Sequence, residues 1–94
     1  MLIAVTVDKE KKLSLNMDDT EHILIFSRKF DRIKHIDTKH KVKEDFIDTI
    51  RGCKYIISRH IHTDLETSNA ITDLGIKIIS ELRTRDPFYA IRLI

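Results

Sequence analysis

Ninety-four residues suit one domain, 1–94, since most domains run to about 100–150 residues. The composition is 41% hydrophobic and 34% charged, with two glycines and one proline, which excludes a disordered or linker-like chain. The formal charge of +2 is too small to imply a nucleic-acid partner by itself.

No apolar run approaches the roughly 20 residues that a membrane span needs. The opening Met1-Leu-Ile-Ala-Val-Thr-Val-Asp8 is too short and lacks the basic lead of a signal peptide. A cytoplasmic protein without a membrane partner is therefore expected. The single cysteine, Cys53, excludes an intrachain disulfide framework.

In chain order, Leu2–Val7 is a continuous apolar, β-branched run ending at Asp8, the pattern of a strand buried on both faces. Asp8 to Lys12 is charged and must turn in solvent, and a second irregular stretch, Ser14 to Glu21, holds Asn16, Asp18 and Asp19. His22–Phe26 is the second strand. Arg28 to Asp37 alternates imperfectly, as a one-sided edge strand would, which puts the hairpin turn at Ser27-Arg28-Lys29. From Lys41 the period becomes helical, with Val42, Phe46, Ile47 and Ile50 on one face and Gly52 as a left-handed stop. Lys54 to Ser58 is the fourth strand. A second helix carries the stripe Thr67, Ala70, Ile71 and Leu74; Thr63 with Glu66 has capping-box spacing, while the stripe alone allows a start two residues later. Gly75 ends it, Ile76 to Ile79 is the fifth strand, and Asp86-Pro87 opens a terminal helix, Phe88 to Ile94.

The order βββαβαβα predicts an α/β fold. Its three opening strands form a meander, and the parallel crossovers that follow are right-handed. The economical arrangement is a single five-stranded mixed sheet, order 3-2-1-4-5, with the second strand antiparallel and helices on both faces. Open α/β sheets bind ligands at the carboxyl ends of their strands, at the switch point. Asp8 ends the first strand, Arg59, His60 and His62 follow the fourth, and His22 opens the antiparallel second strand on the same edge, fed by the loop of Asn16. Cys53 lies at the far end of the fourth strand and is excluded from this rim.

His60 and His62, two apart in an extended segment, face the same side and can bind one ion. A third ligand from His22 or Asp8 would complete a Zn or Fe site. Asp8, Asp18 or Asp19, and Asp64 offer a Mg²⁺ alternative for phosphoryl chemistry, though Asp64 also suits a helix amino terminus. There is no GxGxxG, P-loop or GxSxG motif. Ser58 beside His60 is the one nucleophile candidate, and residues so close in sequence seldom make an oriented triad. Arg28 to Lys43 holds Arg28, Lys29, Arg32, Lys34, Lys39, Lys41 and Lys43 against Asp31 and Asp37. That excess allows a protein or nucleic-acid interaction surface, but lysines protecting an exposed sheet edge are the simpler reading. The same edge allows a homodimer.

With this layout the sequence resembles the dinitrogenase iron–molybdenum cofactor-binding family of small ribonuclease-H-like domains. The resemblance rests on the opening Met1 to Asp8, on Leu13-Ser14, on His22–Phe26, and on Cys53-Lys-Tyr-Ile-Ile57 through Asp73-Leu-Gly-Ile-Lys-Ile-Ile79. It implies a non-enzymatic domain, related to nitrogen-fixation proteins, that binds or carries an iron–sulfur or iron–molybdenum type cluster or a small anion. On that reading Asp8, Asn16, His22, Arg59, His60 and His62 line the site, with His60, His62 and His22 as metal ligands and Arg59 neutralising negative charge. The family has His-Phe-Gly where this chain has Asn16-Met17-Asp18, and a glycine-rich loop where it has Arg59-His60-Ile61-His62. A glycine loop brings backbone amides to a bulky anion; arginine and histidines offer side-chain charge and ligation instead.

Overall fold

The computed structural model describes residues 1–15, 19–40, 46–58, 65–80 and 82–94. The elements are β1 (Leu2–Val7), β2 (His22–Lys29), β3 (Arg32–His40), α1 (Phe46–Ile50), β4 (Tyr55–Ile57), α2 (Leu65–Asp73), β5 (Lys77–Ile79) and α3 (Pro87–Ala90), the last continuing as a 3-10 turn over Ile91–Leu93. They build one five-stranded sheet in the order β3-β2-β1-β4-β5. β1 pairs antiparallel with β2 and parallel with β4, and β5 lies parallel to β4. The expected order and strand directions are those observed.

The continuous apolar run of β1 occupies the centre, where both faces are covered. Ala4, Ile23, Ile25 and Ile56 point to one side and pack with Phe46 and Ile50 of α1 and Ile71 of α2. Ile3, Val5, Val7, Leu24, Phe26 and Ile57 point to the other and pack with Ala90 and Ile91. Helices therefore cover both faces. Burying one Ile or Phe side chain contributes about 1.5–3 kcal/mol, so these two layers dominate the stability.

Helix ends follow from local chemistry. Asp86 caps α3, its Oδ1 accepting the Phe88 N–H at 3.0 Å, with Pro87 at the first helical position. The expected terminal helix from Phe88 to Ile94 tightens after one turn to 3-10 geometry. α2 ends in a Schellman arrangement: Gly75 adopts φ +76°, its N–H donates to the Thr72 carbonyl, and the Ile76 N–H donates to that of Ile71. Ile71 and Ile76 then meet in one core layer. Leu74, expected on the apolar stripe, is 37% exposed, because it sits where the chain leaves the helix. The alternative helix start at Thr63, and Val42 of the first helix, lie outside the described residues.

The hairpin turn differs from expectation. Ser27-Arg28-Lys29 is strand, and the turn is the two-residue loop Phe30-Asp31 between the paired Lys29 and Arg32. The ladder runs on because the Arg28 N–H donates to the Met1 carbonyl at 2.9 Å and the Met1 ammonium to the Arg28 carbonyl at 3.2 Å. A bulge in β3 opposite Ile25 and Phe26 explains the imperfect alternation. Before it, Ile33 and His35 share the α3 face; after it, Thr38 and His40 do.

Candidate functional site

The switch point lies where β1 has an antiparallel neighbour on one side and a parallel one on the other. Asp8 ends β1 and organises the turn that follows. Its Oδ1 accepts the Glu10 and Lys12 N–H groups at 2.9 and 3.1 Å, and its Oδ2 meets the Arg85 guanidinium at 2.9 Å. Arg85 also donates to the Leu13 carbonyl at 3.4 Å, and the Leu13 N–H donates back to the Arg85 carbonyl at 2.7 Å. The Asp8 carboxylate is thus the latch of its own loop, with three donors already on it.

Beneath the rim runs a buried chain of hydroxyls. Thr20 Oγ1 donates to Ser14 Oγ at 2.9 Å, Ser14 Oγ donates to Thr6 Oγ1 at 2.8 Å, and Thr6 Oγ1 donates to the Ile57 carbonyl at 3.1 Å. Thr6 and Ser14 are fully buried and Thr20 is nearly so. Net, each such bond contributes about 0.5–1.5 kcal/mol, and breaking one inside the fold costs more. The chain joins the two ends of the loop that carries Asn16 to the end of β4, one residue before the fully buried Ser58, after which Arg59 follows in sequence.

Above this floor is a cleft of about 450 Å³ lined by Asp8, Lys9, Glu10, Leu15, Asp19, Glu21 and Arg85. Once Asp8 and Arg85 neutralise one another, three carboxylates face one lysine, so the lining is acidic. Among the described residues, no group of three or more His, Cys, Asp or Glu side chains is placed to hold a metal ion.

Of the residues expected at the rim, Asp8 and His22 are described, and β-pairing sets His22 opposite Val7. Their side chains part company there. His22 lies on the face of Leu24 and lines a different cleft, with Val7 and Phe88 on the α3 side. Asn16, Arg59, His60 and His62 lie outside the described residues, as do Asp18 and Asp64. Asp19 lines the acidic cleft. Cys53 is buried in the layer of α1 and α2, where burial pushes its thiol up from the ordinary 9.0 and Lys39 partly opposes the shift. Sequence reasoning missed Arg85, Thr6, Thr20 and the function of Ser14. Thr6 is the one polar residue inside the β1 run, which was a signal; Arg85 has none, since 77 residues separate it from Asp8.

This geometry defines a class: a small α/β domain with a mixed sheet and an acidic cleft beside the carboxyl end of β1. No protein-family model matches the chain, and no curated protein matches it. Among solved structures, PH0822 superposes with a TM-score of 0.79 at 13% identity, covering 99% of this chain and 89% of that one. The protein mj0327 of Methanocaldococcus jannaschii, provisionally described as a dinitrogenase, superposes with a TM-score of 0.78 at 21% identity, over 99% of this chain and 86% of that one. TM1290 of Thermotoga, provisionally described as a NifB protein of the DUF35 family, gives a TM-score of 0.54 at 14% identity, over 82% and 72%. At these identities the likeness is one of fold. No helix among the described residues is long and apolar enough to cross a membrane.

Proposed function

We propose that this chain is a small, non-catalytic binding domain that holds a metal ion at the rim formed by the ends of β1 and β4. The observation that carries the reading is the buried Thr20–Ser14–Thr6 hydroxyl chain ending on the Ile57 carbonyl. It ties Ser14 and Thr20, on either side of Asn16 in sequence, to the end of β4, which precedes Arg59, His60 and His62 in sequence. A binding site needs such a rigid base. His60 and His62, two apart in sequence, would supply imidazoles, with Asp19 and Glu21 on the cleft wall as oxygen donors. An anionic iron–sulfur or iron–molybdenum cluster would meet like charge from that wall, and Arg59 offsets only part of it. Zn or Fe as an ion suits the lining better. The fold shared with proteins provisionally described as a dinitrogenase and a NifB protein supports a role in metal handling.

The test is a metal analysis and absorption spectrum of protein purified without added metal, followed by titration with Zn²⁺ or Fe²⁺. His60→Ala/His62→Ala should remove one equivalent of bound ion. Unchanged stoichiometry and affinity in that variant would sink the proposal.

A second reading is favoured by β3, whose nine residues form a sheet edge exposed along almost its whole length. Arg32, Lys34 and Lys39 on it, with Lys29, make the edge basic, which suits a protein or nucleic-acid partner. Salt-dependent retention on RNA, lost on charge reversal of Lys34, Lys39 and Lys41, would support that use; no retention at low salt would exclude it.

A further inference from the structure

Three of the five histidines project from one face of the β2–β3 hairpin, and sequence spacing does not reveal it. Counting back from the paired Lys29 and Arg32, a regular ladder would set His22 opposite Lys39. The bulge shifts the register by one, and His22 faces His40 instead. Their rings lie 5.1 Å apart between centroids at an interplanar angle of 72°. The Nδ1 of His22 is buried and has no hydrogen-bond partner among the described residues. An imidazole nitrogen taken from water without a partner is a costly arrangement, which a bound group would relieve.

The third histidine is engaged through Nε2. His35 Nε2 lies 2.9 Å from Thr38 Oγ1 and 2.8 Å from the Asp37 carbonyl. His35 also packs on Phe26 and Phe88 and so walls the cleft rather than ligating in it. The cleft itself, about 290 Å³, is lined by Val7, Lys11, His22, Leu24, Thr38 and Phe88 besides His35. It is mainly apolar, and among the described residues Lys11 brings the one charged side chain of the lining.

We propose that His22 and His40 form a two-histidine transition-metal site on the α3 face of the hairpin, separate from the rim and open to the adjoining cleft. With Zn–N distances of about 2.0–2.1 Å, two imidazoles on one tetrahedral ion hold their centroids about 5 Å apart. The observed separation of 5.1 Å matches that spacing, and twist about each metal–nitrogen bond accommodates the interplanar angle. Imidazole suits Zn, Cu and Ni. No third protein ligand is placed there among the described residues, so the remaining coordination positions are left to water or to a small ligand entering the cleft. The pair brings no negative charge to an ion, and no carboxylate of the described lining neutralises it. Lys11 disfavours a bare dication, which makes this a site of modest affinity that a monoanionic co-ligand would strengthen.

The experiment uses the full chain and Zn²⁺ alone as the probe, by isothermal titration with imidazole-detected NMR. The His60→Ala/His62→Ala chain is the background, so the rim reading and this one fail separately. That chain should retain a zinc site, with the ring signals of His22 and His40 shifting together while those of His35 stay. Adding His40→Ala, at the exposed end of β3 where folding is least at risk, should weaken that site roughly tenfold or more, since it removes one of two protein ligands. Adding His35→Ala instead should leave the affinity unchanged. No zinc binding in the background chain, or equal binding with and without His40, would overturn the proposal.

Discussion

Phe30 holds a φ of +58° at the tip of the hairpin and is 87% exposed, so nothing in the core compensates its conformation. For a residue with a Cβ, the left-handed region costs about 1–2 kcal/mol, and glycine occupies it freely. Phe30→Gly should therefore raise stability by up to about 1 kcal/mol, or about 4–8 °C in Tm for a domain of this size; a fall in Tm would show that Phe30 makes a contact worth more than its strain. Cys53 has a pH signature. Its folded thiol is pushed above the ordinary 9.0 by burial, so in both states it is protonated at neutral pH and contributes no pH dependence there. As pH rises through 9.0 toward the folded value, the unfolded chain ionises first and stability falls. Urea midpoints at about pH 8 and pH 10 should converge more in Cys53→Ala than in the parent; equal pH dependence in the two chains would contradict it.

At the scale of elements, the loop from Asp8 to Glu21 is fastened twice, by Leu13 buried in the α3-side core and by the buried hydroxyl chain. Ser14 is the middle of the hydroxyl chain, both donor and acceptor. Ser14→Ala should cost about 1–3 kcal/mol, the range for a broken buried hydrogen bond, and should accelerate amide exchange at Glu21, whose N–H donates to the Val7 carbonyl. Unchanged exchange there would mean that the loop is fastened elsewhere. The elements also show where periodicity is a sufficient guide. β1 and the buried face of β2 were legible because an apolar run or alternation of that length has few other uses. The hairpin turn was not, since Ser27-Arg28-Lys29 has turn-like composition, and its strand state depends on backbone bonds to Met1. Leu74 was misread because a stripe says nothing about where the helix stops short of its last member.

For the molecule as a whole, a site that binds the native state should stabilise it. Zn²⁺ at 100 times its Kd should add about 2.7 kcal/mol by mass action, visible as a rise in Tm that disappears in the chain lacking His40, His60 and His62. A rise that persists there would point to other ligands. The exposed β3 edge bears on assembly as well. Its lysines and its bulge are devices that discourage edge-to-edge pairing, so sedimentation should give a monomer at low concentration, and a β3-mediated dimer would run against that design.

The order of strands, their directions and the rim at which Asp8 and the start of β2 converge were all determined by sequence. They follow from period, run length and the handedness of crossovers, each a local or topological constraint that residues carry in their order. The direction of His22 away from that rim, the pairing of Asp8 with Arg85, the linking of Thr6, Ser14 and Thr20, and the meeting of His22 with His40 were decided by tertiary structure alone. Each depends on register or on contact between residues distant in the chain. A single bulge, invisible in composition, moves every later side chain of β3 by one place and changes which histidines meet.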